Sequence, residues 1–336
     1  MAQFTSLWFR RALSIGGVVA AFLALTATFP LTATLAMAHG AVTRTKWTAV
    51  RTLAFAECLL LLELIGVLLS FLVWIEHAIF SGSTRERFLH RNYRLQNWWG
   101  STLAGAGIVL FDLRFQIDGA APDSRRPFAL FIRHVSFMDT VLPVLLVSSR
   151  SGTRLRYVLK RELLWDPCLD IVGNRLPNLF VARENADREA QLEAIRRLAS
   201  GMCAGDGVLI FPEGTRFTPE KRDRLLAKLK RMDEREYASA SRFRSVLPPR
   251  LGGSLAILDA APGADAVFMA HSGLESAVNL KGLFSGALVG SIVRVKFWTV
   301  PREEIPSAAD DRRNWFLGQW GILDDLVTQW KETSSA

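Results

Sequence analysis

The chain has 336 residues, half of them hydrophobic, with 41 Lys and Arg against 32 Asp and Glu and a formal net charge of +9, enough to bury a large core as one domain plus an appendage. The basic balance comes without zinc-finger spacing, an aromatic RNA-binding motif or tandem basic helices, so nucleic acid is excluded as an expected partner and an anionic membrane surface is favoured. Cys58, Cys168 and Cys203 are odd in number and unpaired in spacing, which excludes a disulfide framework, and without a CxxC, HExxH, GxGxxG or Walker-type loop no metal, nucleotide or redox cofactor is expected.

Leu13–Ala38 carries no charge and is long enough to span a bilayer. Ala36-Met37-Ala38 resembles a signal-peptidase site, but the length of the stretch and a second apolar run behind it favour a retained helix. Pro30 is a candidate kink. The second run, Leu53–Ile75, holds Glu57 and Glu63; a carboxylate at mid-bilayer costs a few kcal/mol, so this helix is expected to pair with the first or to lie partly in the interface. Residues 1–95 thus read as an N-terminal two-helix membrane hairpin, with helices at about 13–38 and 53–75. Arg85, Arg87, Arg91 and Arg94 follow it and place the remainder, residues 96–336, on the cytoplasmic side of an integral membrane protein.

From Asn97 onward, strand-like runs alternate with helical segments. Strands are expected at Ile108–Ile117, Phe128–Ile132, Leu155–Leu159, Asn178–Val181, Gly207–Phe211, Val267–Ala270 and Gly290–Val300, and helices at Ser136–Val147, Asp187–Ala204 and Trp315–Trp330. This alternation predicts an α/β domain with a mostly parallel central sheet flanked by helices, whose ligands sit at the carboxyl ends of strands. Pro219–Arg244 is dense in charge and reads as a solvated helix, or as an interfacial helix with its leucines toward lipid. Gly252 and Gly253 read as a turn. Phe316, Trp320, Leu323, Val327 and Trp330 recur at helical spacing and read as core. His271, alone near a strand end, reads as structural.

Two blocks carry chemistry. RHVSFMD follows the run Phe128–Ile132 and puts His134 and Asp139 five residues apart. On an ideal helix that spacing is about 500°, so the two share a site only if His134 lies in the turn and Asp139 in the structure behind it, with Ser136 as cap. A base with a carboxylate to orient it activates a hydroxyl at neutral pH. FPEGTR, Phe211–Arg216, follows the apolar run Val208–Ile210 and supplies a glycine turn and an arginine, which suit an anion. Together they point to transfer onto the hydroxyl of a phosphorylated acceptor.

These residues resemble the lysophospholipid acyltransferases of the 1-acyl-glycerol-3-phosphate acyltransferase type. RHVSFMD is similar to the family's catalytic block, with Arg133 where many members carry asparagine. LFVARENADRE (Leu179–Glu189), FPEGTR and VLPPRLGG (Val246–Gly253) resemble the second, third and fourth blocks, and VLKRELLWDP resembles the segment that brings Lys160 and Glu162 near the site. The resemblance spans roughly Asn97 to Trp330. It implies a glycerol-3-phosphate acyltransferase-like fold, His134 as general base and Asp139 as its orienting anion. Glu213, Gly214, Thr215 and Arg216 would shape the acceptor site, and Arg183, Lys160 and Arg250 would face the acceptor phosphate. The implied reaction moves an acyl chain from a thioester, on coenzyme A or acyl carrier protein as co-substrate, to lysophosphatidic acid. Acylation of another lyso-lipid, such as lysocardiolipin or an amino-acid lipid, and a non-catalytic lipid-binding protein on the same scaffold are the competing expectations.

Overall fold

Seven strands form one sheet in the order β1-β7-β6-β2-β5-β3-β4. They are β1 (Arg114–Asp118), β2 (Phe128–Ile132), β3 (Arg154–Lys160), β4 (Leu179–Val181), β5 (Asp206–Ile210), β6 (Asp265–Ser272) and β7 (Ile292–Val300). Every pairing is parallel except β6 with β7. The computed structural model describes residues 2–80, 84–182, 187–278 and 280–335, so Arg183 lies outside the described residues.

The central strands β2 and β5 are buried at every position, as expected of parallel strands covered on both faces. One face packs against α2 (Thr48–Ile79) and α3 (Arg85–Phe111) through Phe55, Leu62, Trp99 and Leu103. The other packs against α5 (Arg188–Ala199), α7 (Leu251–Ala260) and α8 (Ala309–Ser335), with a ring cluster of Phe131, Phe268, Phe316 and Trp320. Phe316, Trp320, Leu323 and Val327 are fully buried, as the helical spacing predicts.

Several expected boundaries move. The strand expected from Ile108 begins only at Arg114, because α3 runs to Phe111 and ends on Asp112 in the left-handed conformation (φ 51°). The expected boundary at 95/96 therefore falls inside α3. Ser136 does cap, but only a single 3₁₀ turn, Phe137–Thr140. Pro143, four residues after Asp139, has no N–H to continue a regular helix, and the chain resumes as a π-helical stretch, Val144–Ser148. Gly252 and Gly253 lie inside α7, not in a turn; a Cβ on Gly253 would come within 2.9 Å of Ile210, so the glycine lets the helix lie close on β5. In α6 (Pro219–Met232), Leu225, Leu226 and Leu229 are half-buried while Arg224, Lys228, Lys230 and Arg231 are exposed, so the apolar side of this helix is turned to protein.

The expected hairpin is two long apolar helices, α1 (Ala2–Thr43) and α2, and α1 is unbroken at Pro30 and at Ala36–Ala38. It does not stand apart from the domain. Arg10 and Arg11 close on the buried carboxylate of Asp170 in α4 (Pro167–Gly173), at 2.8 and 3.2 Å. Glu63 accepts from the Cys168 amide, Arg175 donates to the Ser70 carbonyl, and Thr52 donates to the Leu283 carbonyl. Glu57 accepts from Thr26 of α1. Deleting residues 1–79 would strip the face of α3 and leave Asp170 without its cations, so the truncated chain is expected to be insoluble, not merely released. The check is the soluble fraction after expression, with protease resistance of whatever remains; a folded, soluble domain would contradict it.

Candidate active site

The end of β2 delivers His134, and the turn behind it brings Asp139 back. Asp139 Oδ2 lies 3.0 Å from His134 Nδ1 and accepts from the backbone N–H groups of Val135 and Ser136 at 2.6 and 2.7 Å. The Ser136 side chain accepts from Met138 and donates to the Ala277 carbonyl, which ties the turn to the loop after β6. With a carboxylate on Nδ1, that nitrogen carries the proton and Nε2 is left with its lone pair. Burial is the largest influence on His134 and lowers its pKa; Asp139 opposes this, and the charges of Lys160 and Arg216 add to the lowering. The net direction is downward, so the ring is neutral at neutral pH and its Nε2 can accept a proton.

FPEGTR supports this histidine from below. Glu213 is fully buried and accepts from the backbone N–H of His134 at 2.6 Å and of Leu247 at 2.9 Å, so one carboxyl fastens the histidine to the fourth block. Burial pushes the Glu213 carboxyl up to about 8, against those two amides and the charge of Arg133, which favour its anion. The Phe211 ring packs on the His134 imidazole at 4.4 Å. Gly214 has φ +66° and a Cβ there would meet the Arg250 side chain at 3.0 Å, so only glycine lets the turn form beneath that arginine. Arg216 donates to the Val278 carbonyl, and Lys221 donates to Thr215 Oγ1 at 3.2 Å and to the Arg216 carbonyl at 2.8 Å.

His134, Asp139, Glu213, Gly214, Thr215, Arg216 and Arg250 therefore gather at the carboxyl ends of β2 and β5, and Lys160, the last residue of β3, acts electrostatically on the same histidine. Glu162 lies in the short turn after it, on the surface.

The family model described as acyltransferase matches residues 115–257, which run from β1 into α7 and hold both chemical blocks. Over this segment the chain is similar to acyltransferases. The chain is 31% identical over 122 residues to the lyso-ornithine lipid O-acyltransferase of Pseudomonas aeruginosa, a match that covers 36% of this chain and 42% of that protein. The chain thus spans less than half the length of this curated relative. The crystal structure of the 1-acyl-sn-glycerophosphate (LPA) acyltransferase PlsC from Thermotoga maritima aligns over 82% of this chain and 96% of its own, at 18% identity and a TM-score of 0.47.

Sequence reasoning missed part of this site. Arg133 is completely buried and donates to the His271 carbonyl at 2.8 Å, to Glu275 at 2.7 Å and to the Ser245 carbonyl at 3.2 Å. Glu275 in turn accepts from the Gly273 amide at 2.7 Å. The signal was present: a lone arginine at the end of a five-residue apolar strand has to find partners inside.

Proposed function

We propose that this acyltransferase moves an acyl chain from a thioester, carried by coenzyme A or acyl carrier protein, to the free hydroxyl of a lysophospholipid, with 1-acyl-glycerol-3-phosphate as acceptor. The observation that carries the reading is the neutral, carboxylate-backed His134 set beside cations. In this mechanism His134 Nε2 takes the proton of the acceptor hydroxyl as the oxygen attacks the thioester carbonyl. Asp139 supports the imidazolium that forms. The tetrahedral intermediate collapses, the C–S bond breaks, and the thiolate leaves with the proton from His134. No acyl-enzyme is needed.

The acceptor assignment rests on charge. Lys160 and Arg216 both act on His134, and the side chain of Arg250 lies over Gly214. A phosphate monoester carries nearly two negative charges at neutral pH and gains most from such a cluster. A second reading, an amino-acid lyso-lipid, is favoured by the curated relative, but its headgroup would bring an amine toward these cations. Offering both acceptors and a phosphodiester lysolipid at equal concentration to the purified protein, with products read by mass spectrometry, decides between them. Arg216→Ala is expected to raise the KM of the acceptor about tenfold or more, since a charge-assisted contact is worth roughly 1.5–3 kcal/mol. Arg216→Lys should restore it only in part. A rise confined to the donor KM would assign Arg216 to the other substrate. Failure to release any thiol from a thioester in the presence of all three acceptors would leave a lipid-binding protein on this scaffold.

The hairpin bears on where the reaction takes place. Contacts between α2 and the domain run from Thr52 to Ser70, about 27 Å of helix at 1.5 Å per residue. A bilayer core is about 30 Å thick, so a fully crossing α2 would draw polar domain surface into hydrocarbon. The outer side of the hairpin, with Trp8, Phe9, Leu23, Leu31 and Leu35, is exposed. In this reading it seats in one leaflet and holds the site at the surface where the acceptor lies, with the domain in the cytoplasm.

A further inference from the structure

The catalytic carboxylate has two oxygens, and His134 uses one. Asp139 Oδ2 accepts from three N–H groups, whereas Oδ1 is buried and makes no hydrogen bond among the described residues. What faces Oδ1 is a second imidazole. His271 Nε2 lies 3.6 Å from it, and both side chains are fully buried. The same nitrogen lies 3.0 Å from the carbonyl of Arg133. A carbonyl only accepts, so Nε2 carries the proton, and His271 Nδ1 makes no hydrogen bond among the described residues. The arrangement is locked from the other side, because the Arg133 guanidinium donates to the His271 carbonyl. β2 and β6, paired along their length, are thus stitched twice more beside the catalytic turn.

We infer that His271 is a positioning residue of the catalytic pair: its Nε2–H, held on the Arg133 carbonyl, faces the second oxygen of Asp139 and sets how strongly that carboxylate acts on His134. The inference rests on His134 being the base. His271 is too deeply buried to touch substrate, so its influence passes through Asp139. The sign follows from electrostatics. An N–H dipole aimed at the carboxylate draws on its charge and leaves less for the imidazolium of His134. Removing that dipole strengthens Asp139 as a partner and raises the pKa of His134. The other charged groups around the pair are Lys160 from β3, Glu213 and Arg216 from the turn after β5, Arg133 from β2 and Glu275 after β6. All of these groups remain when His271 alone is replaced, and Glu275, on which His271 also acts, is held by Arg133, so a displaced titration of His134 reports His271.

The experiment uses the full chain in detergent or nanodiscs and compares His271→Gln with His271→Phe. Glutamine places an amide N–H near the position of Nε2–H; phenylalanine keeps the ring and loses the donor. His271→Gln is expected to stay within about threefold of wild-type turnover, with the acid limb of kcat/KM in place. His271→Phe is expected to keep the acceptor KM and to move the acid limb upward by about half a pH unit. A wild-type acid limb in His271→Phe overturns the inference, as does an acid limb in His271→Gln displaced as far as in His271→Phe. Should His271→Phe fail to fold, nitrogen-15 NMR of the wild-type protein, which has only five histidines, tests the same point. His271 Nε2 must carry a proton, and a ring protonated on Nδ1 alone overturns the inference without any variant. Should His134→Ala keep its turnover, the base itself is misassigned, an outcome distinct from either of these.

Discussion

Replacing His134 with alanine is expected to lower turnover by roughly 10²–10⁴-fold, the contribution of a positioned general base. The surroundings leave no substitute. His271 is enclosed behind Asp139, and Glu213 uses both carboxyl oxygens on backbone amides. Asp139→Asn should also be severe: the amide oxygen can keep a bond to the Val135 or Ser136 N–H, but a neutral group no longer supports the imidazolium. Both variants should fold, because the packing of the turn on Ala277 and Phe217 runs through Ser136 and the His134 carbonyl. Thiol release from an acyl thioester, alongside circular dichroism, is the measurement. The pH dependence follows from the lowered pKa of His134. The base is available above that pKa and is lost as the pH falls through it, so activity should persist below pH 6.5, the ordinary histidine value, before it drops. A His134→Ala enzyme within a few-fold of wild type would refute the mechanism.

What the sequence disclosed and what it concealed divide along a physical line. The strands β2 and β5 are short apolar runs followed by polar blocks, and both lie within one residue of where the pattern puts them. His134 and FPEGTR were legible because the sheet delivers them directly at strand ends. Residues that reach the site through long-range contacts carried no local mark. His271 is a lone histidine in a strand, and only the parallel pairing of β6 with β2 sets it against Asp139. Arg133 looked like a departure from the pattern of the block, yet three partners from three segments close around it. The hairpin was read correctly as two apolar helices and incompletely as a unit apart. Glu57 and Glu63, which weakened it as a simple span, have partners: Thr26 in α1 and the Cys168 amide in the domain.

Arg133→Met is expected to be the most destabilising single change near the site. The methionine fills much of the space but leaves the carbonyls of His271 and Ser245 and the Glu275 carboxylate without their donor. Removing one partner of a buried ion pair costs roughly 3–5 kcal/mol; the lower end applies here, because Glu275 is a third exposed. The pair also has a pH signature. Burial alone would raise the Glu275 pKa, but the Arg133 charge and hydrogen bond override it and hold the carboxyl down at about 2. Its unfolded value is about 4.3. A depressed folded pKa stabilises the protein above the unfolded value, and that contribution is lost as the pH falls from about 4.3 toward 2. Thermal melts of the wild type should therefore fall across this window, and Arg133→Met should start lower at neutral pH and show a shallower decline over the same range. Glu275→Gln should flatten the decline as well, because the titrating group itself is gone. An acid dependence in Arg133→Met as steep as in the wild type would show that the pair does not carry this part of the stability.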